Sequence, residues 1–234
     1  MKRLRWLVKS WLDWYRWPAL SANQRRLDGL AEGAGLIAAL CVQGGKSTIM
    51  ANQNLQEIGG LYALVAARQP RVVVEIGTAQ GGTLYLWSRA AAAGATLISI
   101  DMPGEMGSVR PVNRRIYRRF GRQRGVTVHT IDADSHGPQA HARLQSLLAG
   151  RPIDFLFIDG DHSYAGVKAD YEGYQRYLAP DALVALHDIK VSSPDGWIQV
   201  ARFWDELRQA VARTQEIVAT PPTFGIGVVW PGLI

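Results

Sequence analysis

The chain has 234 residues, 47% hydrophobic and 20% charged, which allows one substantial core and excludes a largely disordered protein. Its formal net charge of +6 comes from clustered lysines and arginines, which point to an anionic partner. The single cysteine, Cys41, excludes an internal disulfide, and no Cys/His group has zinc-finger spacing, so we expect a reducing, cytoplasmic compartment.

The first 17 residues have the apolar spacing of one helical face, and Pro18 is expected to end this helix. Charged residues interrupt the apolar run, so the segment is too short and too charged to span a bilayer. Basic residues beside tryptophans are typical of a helix that lies in the membrane surface. The pattern of residues 1–17 therefore predicts that this helix contacts the inner face of the membrane. The alternative is that the apolar face packs on the rest of the chain or on a second copy in a homo-oligomer.

Two further helical stretches, 21–42 and 50–68, are separated by a Gly44-Gly45 turn. From Val72 onward, short β-branched runs alternate with helical stretches, which is the pattern of a parallel sheet with crossover helices. We predict a doubly wound α/β domain with a seven-stranded, mostly parallel sheet over residues 55–234, preceded by a helical extension over residues 1–54. The predicted strands are 72–76, 96–100, 126–131, 154–158, 182–187, 215–219 and 225–230. The last two are too close for a helical crossover and should pair antiparallel at one edge.

A glycine-rich turn follows the first strand directly and leads into a helix. Glycines allow close approach to a ligand, and the helix N-terminus offers free N–H groups, but many nucleotide sites share this pattern. Asp101 ends the second strand, where a carboxylate can accept hydrogen bonds from ribose hydroxyls, although it could equally be a turn or cap residue. Asp134 and Ser135, after the third strand, suit the edge of an adenine. The residues predicted to bind the cofactor are Glu75, Gly77, Thr78, Gly81, Gly82, Thr83, Asp101, Asp134, Ser135 and Asp159.

Titratable side chains follow the next two buried strands. Asp159 and His162 come after one strand, and His187 and Asp188 come after the next. If these strands are neighbours, their ends lie about 4.8 Å apart, and the side chains can converge on one ion. Carboxylates suit magnesium, and an imidazole also permits manganese or iron. The alternative is that His187 and Asp188 merely cap a strand end.

These motifs, in this order, resemble class I S-adenosylmethionine-dependent methyltransferases over residues 55–230. Within that superfamily the chain is most similar to the cephalosporin-hydroxylase-like group, which also resembles macrolide-sugar O-methyltransferases. One departure is Ala79, where many of these enzymes have a second glycine. The matching stretches are 77–83, 134–136, 157–164, 187–189 and 225–227.

The resemblance implies S-adenosylmethionine as cofactor, with its methionine part near Gly77, its ribose on Asp101 and its adenine near Asp134. It also implies a divalent cation, expected to be magnesium, on Asp159, His187 and Asp188, with His162 as the general base. Relatives often have an acidic residue in place of His187, which leaves the identity of the metal open. The implied reaction is methylation of a sugar hydroxyl on a glycan, glycolipid or glycosylated metabolite, so the acceptor is a small-molecule or lipid-linked sugar.

Two other functions are compatible with the sequence. The arginines between Arg110 and Arg124 would suit an RNA methyltransferase, but only Tyr117 and Phe120 accompany them as stacking aromatics, so a nucleic-acid partner is not expected. A solvated charged face would explain the same cluster. A non-catalytic accessory subunit could also keep this fold, but the intact His162 argues against that role.

Overall fold

A computed structural model describes residues 16–41, 48–102, 111–191, 193 and 196–232. Most of the predicted helix 1–17 and the predicted Gly44-Gly45 turn lie outside these residues. In chain order the described helices are α1 (residues 16–28), α2 (Ala34–Cys41), α3 (Leu55–Arg68), α4 (Gly82–Ala90), α5 (Pro111–Tyr117), α6 (Pro138–Leu148), α7 (Tyr164–Tyr174) and α8 (Val200–Ala210). None of them is both long and apolar enough to cross a membrane.

Seven strands form one sheet in the order β3-β2-β1-β4-β5-β7-β6. The strands are β1 (Val72–Ile76), β2 (Thr96–Asp101), β3 (Thr127–Asp132), β4 (Ile153–Ile158), β5 (Leu178–His187), β6 (Thr214–Ile217) and β7 (Ile226–Val229). Strand β7 is antiparallel to both of its neighbours, and the other pairings are parallel. The predicted doubly wound, mostly parallel sheet is therefore confirmed. The strand order reverses between β1 and β4, where sheets of this kind bind ligands.

Apolar side chains cover both faces of the sheet, because alternate residues of each strand point to opposite sides. On β1, Val73 joins the cluster that contains α1 to α5, whereas Val72 and Val74 join the cluster that contains α6 to α8. Helices α1 and α2 belong to the first cluster through Leu20, Leu27, Leu36 and Leu40, all of which are buried. The N-terminal helices are thus part of the main core.

Four predicted boundaries differ clearly from the structure. The predicted helix 50–68 begins only at Leu55, because the Asn54 side chain caps its first turn. Helix α1 continues through Pro18, so that proline does not end the helix. The predicted helix 21–42 is two helices, because the chain turns after residue 28 and Gly33 adopts a φ of +113° that other residues rarely adopt. Strand β5 begins at Leu178, four residues earlier than predicted, since Pro180 and Asp181 lie within it.

Candidate active site

The glycine-rich turn has a backbone that only glycine can provide at two positions. Gly77 has a φ of +82°, and a Cβ atom there would lie 2.0 Å from the carbonyl oxygen of Asp159. Gly81 has a φ of +79°, and its Cβ atom would lie 2.3 Å from the ring of Tyr117. The turn is therefore pressed between β4 and α5. This close packing explains the predicted need for glycine.

Asp101 holds this turn through one carboxylate oxygen. Its Oδ2 atom accepts hydrogen bonds from the backbone N–H groups of Thr78 and Ala79, both at 3.0 Å. Ala79 has a φ of +46°, and Tyr117 donates its hydroxyl to the Ala79 carbonyl at 2.9 Å. Ala79 therefore adopts a left-handed conformation in place of the usual glycine. Hydrogen bonds to its N–H group and to its carbonyl stabilise this conformation. Burial raises the pKa of Asp101 despite the two backbone donors.

Glu75 lies wholly buried beneath the turn. It accepts a hydrogen bond from the indole N–H of Trp87 at 2.7 Å. Burial raises the pKa of Glu75 to about 8, against the hydrogen bonds from Thr83, Trp87 and Thr78, which lower it. The structure therefore places Glu75 where it supports the loop, with its carboxyl largely protonated at neutral pH.

The predicted adenine residues lie just beyond β3, which ends at Asp132. Asp134 is exposed and accepts a hydrogen bond from the backbone N–H of His136 at 3.0 Å, and Tyr174 donates to the Ser135 carbonyl at 3.0 Å. The His136 ring lies 3.2 Å from the fully buried Asp170. This hydrogen bond raises the pKa of His136 to about 9.

Four predicted residues meet at the carboxyl ends of β4 and β5. The Nδ1 atom of His187 lies 3.0 Å from Asp159 Oδ1 and 3.2 Å from Asp188 Oδ1. The Nε2 atom of His162 lies 3.4 Å from Asp159 Oδ1 and 3.1 Å from Asp188 Oδ2. One ligand atom from each of the four residues lies within 4.8 Å of the other three. We call these residues the Asp/His cluster.

Charges within the Asp/His cluster shift the pKa values of Asp159, His162 and His187. Burial raises the pKa of Asp159, but the charges and hydrogen bonds of His187 and His162 outweigh it and lower the pKa to about 2. Burial lowers the pKa of His162, but Asp159 and Asp188 outweigh it and raise the pKa to about 10. The pKa of His187 is raised in the same way by Asp159. In this form His162 is a protonated imidazole between the carboxylates of Asp159 and Asp188, so a positive charge already lies between them.

The spacing and chemistry of the Asp/His cluster fit a divalent cation. With metal–ligand bonds of about 2.1 Å, neighbouring ligands on an octahedral ion lie about 3 Å apart. The four His–Asp distances in the cluster are 3.0 to 3.4 Å, with both oxygens of Asp188 taking part. A donor set with imidazoles suits manganese, iron or zinc better than magnesium alone.

Two residues near the Asp/His cluster were not predicted from the sequence. Gln53, in the segment before α3, donates its side-chain amide to Asp159 Oδ2 at 3.0 Å. Trp197 lies at the rim, 55% exposed, with its ring centre 5.4 Å from that of His162. Both lie outside regular elements, where no periodic pattern marks them.

Comparison with known families identifies the central part of the chain. A family model described as a methyltransferase domain matches residues 74–189, a range that includes β1 to β5 and the whole Asp/His cluster. Residues 74–189 are a methyltransferase domain. The prediction of a class I S-adenosylmethionine-dependent methyltransferase is therefore confirmed at this level.

Solved methyltransferases share the fold over most of the chain. A methyltransferase from Geobacter sulfurreducens is 22% identical, with a TM-score of 0.56, and the match covers 90% of this chain and 97% of that one. The O-methyltransferase TomG from Streptomyces achromogenes, which is involved in tomaymycin synthesis and was solved with SAM, is 17% identical with a TM-score of 0.55, covering 91% and 96%. At these identities the likeness shows the fold alone.

One curated relative is similar in sequence. The uncharacterized protein y4gI from Sinorhizobium fredii is 28% identical over 180 residues, which are 72% of this chain. The aligned part is 18% of that relative's length, so the chain matches only a small portion of it. The roles of the individual site residues, and the more specific likeness to the cephalosporin-hydroxylase-like group, stay predictions.

Proposed function

We propose that this methyltransferase transfers a methyl group from S-adenosylmethionine to a sugar hydroxyl of a glycan, glycolipid or glycosylated metabolite. The observation that carries the proposal is the position of the Asp/His cluster directly beside the glycine-rich turn. The carbonyl of Asp159 packs on Gly77, so the predicted methyl-donor site and the cluster lie at the adjacent ends of β1 and β4. An acceptor oxygen at the cluster would therefore lie close to the donor's methyl group.

His162 is the proposed general base. It is the most exposed member of the cluster, with 21% of its side chain accessible against 4% for His187 and 8% for Asp188. In the proposed step the acceptor oxygen forms a bond to the methyl carbon as the carbon–sulfur bond breaks. The hydroxyl proton passes to His162, and S-adenosylhomocysteine leaves.

Asp159, His187 and Asp188 are the proposed ligands of a divalent cation. When bound, the ion would act as a Lewis acid on the acceptor hydroxyl and offset the carboxylate charge that keeps His162 protonated. Gln53 orients Asp159 by its hydrogen bond to the second carboxylate oxygen, and the buried position of His187 fixes its ring. These contacts limit the movement of the ligand set.

Trp197 supports a sugar as the acceptor. An aromatic ring that is 55% exposed beside the proposed base offers a flat apolar surface to the C–H groups of a sugar ring. A similar surface would also hold an aromatic acceptor, so the acceptor assay must include both classes. TomG, which shares the fold, is an O-methyltransferase, and this agrees with an oxygen acceptor in general.

The test combines two measurements. First, incubation with methyl-labelled S-adenosylmethionine and a panel of sugar and phenolic acceptors should transfer label to a sugar hydroxyl. Second, His162→Ala should slow turnover by roughly 100- to 10,000-fold while the cofactor and the metal content are retained. Loss of metal in His162→Ala would make His162 a fourth ligand instead of the base. Full activity in excess chelator, with no metal found by elemental analysis, would exclude the metal role.

A further inference from the structure

The structure divides the arginine-rich segment after residue 110 into two sets. Arg114 pairs with an aspartate, Arg119 donates to a serine hydroxyl, and Arg124 donates to backbone carbonyls. By contrast, Arg115, Arg118 and Arg122 are exposed and form no ion pair with any described residue. The first set serves the fold, and the second set needs another explanation.

Arg118 and Arg122 line an open cleft of about 450 Å³ together with Arg143 of α6. The first two come from the end of α5 and the turn after it, which lie on one face of the sheet, and Arg143 comes from the opposite face. His129 and neighbouring residues of β3 form the floor. We call this the arginine cleft, and no carboxylate lines it among the described residues.

Strand β3 opens this cleft because it lies at the edge of the sheet. Among the described strands it pairs only with β2, so its other edge faces the arginines. An edge strand presents backbone N–H groups that no neighbouring strand accepts. Thr127 and Thr130 add hydroxyl groups on the same floor. The cleft therefore combines three guanidinium groups with several smaller hydrogen-bond donors.

The charge of the cleft is not neutralised within the described part of the chain. Burial lowers the pKa of His129, and the positive charges of Arg118 and Arg151 lower it further. Guanidinium groups bind phosphate through paired, parallel hydrogen bonds, which a single lysine cannot reproduce. Three arginines around one cleft would make these bonds from both sides of the same anion.

We propose that the arginine cleft binds a phosphate-bearing ligand at a place separate from methyl transfer. Helix α6 starts near the carboxyl end of β3 and runs back along the sheet, and the cleft is lined by residues 126–130 at the amino end of β3 and by Leu147 in the last turn of α6. The cleft therefore lies away from the strand ends that carry the Asp/His cluster. The proposal does not depend on the acceptor of the methyl group.

The phosphate could belong to a free compound or to a lipid headgroup. Helix α1 packs against the same arginine-rich segment, since Trp17 lies beneath Arg119 with the guanidinium 5.6 Å from the ring centre. The 15 residues before α1 include Lys2, Arg3, Arg5 and Lys9. These basic residues precede a helix that packs next to the arginine-rich segment, so a lipid headgroup must be tested as well as a free phosphate compound.

Inorganic pyrophosphate is the probe for a free phosphate compound. Titration calorimetry on the full chain would include a chelator, so that pyrophosphate cannot bind through a metal, and S-adenosylhomocysteine, to occupy the predicted donor site. We expect each of Arg118→Gln, Arg122→Gln and Arg143→Gln to weaken binding about tenfold. The matched control is Arg26→Gln, which changes an exposed arginine of α1 outside the cleft and should leave the affinity unchanged.

Flotation with phosphatidylcholine vesicles, with and without phosphatidic acid, tests the lipid source. If the cleft variants reduce binding to the anionic vesicles more than Arg26→Gln does, the ligand is a lipid headgroup. If only pyrophosphate binding is lost, it is a free phosphate compound. If neither probe binds the unaltered protein, or if the triple cleft variant binds both as the Arg26→Gln control does, the proposal is wrong.

Discussion

Asp101 accepts two loop hydrogen bonds on one carboxylate oxygen, so replacing it changes both the turn and the predicted ribose contact. We expect Asp101→Ala to weaken S-adenosylmethionine binding by about 1–3 kcal/mol, because hydrogen bonds to a charged group are lost. Asp101→Asn keeps one carbonyl oxygen for the loop and should lose less. Titration calorimetry measures both variants. Equal affinity in the alanine variant and the unaltered protein would contradict the assignment.

Glu75 makes a second prediction at this scale, about stability against pH. Its pKa is about 8 in the folded protein against an ordinary value of 4.5, so between these values the folded form holds a proton that the unfolded form has lost. The free energy of unfolding should therefore decrease as pH rises through this window, by about 1.4 kcal/mol per pH unit from this group. Glu75→Gln should remove this contribution.

Urea unfolding of both proteins at a series of pH values checks that prediction. Histidines titrate in the same window, so the informative quantity is the difference between the two curves. Two curves that stay parallel from about pH 4.5 to 8 would show that Glu75 is ionised in the folded protein.

At the scale of elements, one buried carboxylate joins α3 to the segment between β6 and β7. Glu57 is fully buried and accepts hydrogen bonds from the N–H groups of Ala219 and Gly225, and from the hydroxyl of Thr223. The adjacent Phe224 lies 5.2 Å from the His187 ring, measured between ring centres. Helix α3 thereby supports the segment that packs on one of the proposed metal ligands.

We expect Glu57→Ala to lower the free energy of unfolding by about 2–4 kcal/mol, because two buried N–H groups lose their acceptor. Gln56→Ala is the comparison, since the exposed Gln56, one position earlier in the same helix, accepts only a long hydrogen bond from the Thr220 N–H at 3.4 Å, and its change should cost under about 0.5 kcal/mol. Chemical denaturation measures both. If the two variants lose similar amounts of unfolding free energy, Glu57 does not join α3 to the segment between β6 and β7.

The elements that sequence analysis predicted best are those with strong patterns. The apolar runs of β1 and β4 predicted both strands to within one residue, because strands buried on both faces are apolar throughout. The antiparallel pairing of the last two strands followed from their short connection and is confirmed. The break between α1 and α2 was missed because the apolar spacing continues across Gly29 and Gly33, although the backbone turns there.

For the whole molecule, the order of motifs along the chain predicted which strand ends meet. Parallel strands place their carboxyl ends on one edge, so Asp159 and His187 could be brought together from sequence alone. The contacts of single residues in irregular segments could not be predicted from the sequence. Gln53 reaches Asp159 across 106 positions of the chain, and only the packing of the N-terminal helices creates that contact.

The N-terminal residues make a prediction about the whole molecule. If residues 1–17 bind a membrane surface, replacing Lys2, Arg3 and Arg5 by glutamine should weaken binding to anionic vesicles by about 1 kcal/mol for each charge removed. The fold should be unaffected, because Leu20 and Leu27 anchor α1 in the core. Vesicle flotation with the unaltered chain as reference measures this. Failure of the unaltered chain to float would favour packing on the fold or on a second copy.

The short segment that precedes α3 touches two functional regions at once. The carbonyl of Met50 accepts a hydrogen bond from Gly82 at the start of α4, and three residues later Gln53 binds Asp159. A shift of this segment would disturb both contacts, so we expect the affinities for the proposed methyl donor and cation to be thermodynamically linked. By reciprocity, an ion that tightens donor binding by some factor is itself bound more tightly by the same factor when the donor is present. We therefore expect the segment before α3 to couple the proposed donor and cation sites, so that occupation of one site changes the affinity of the other.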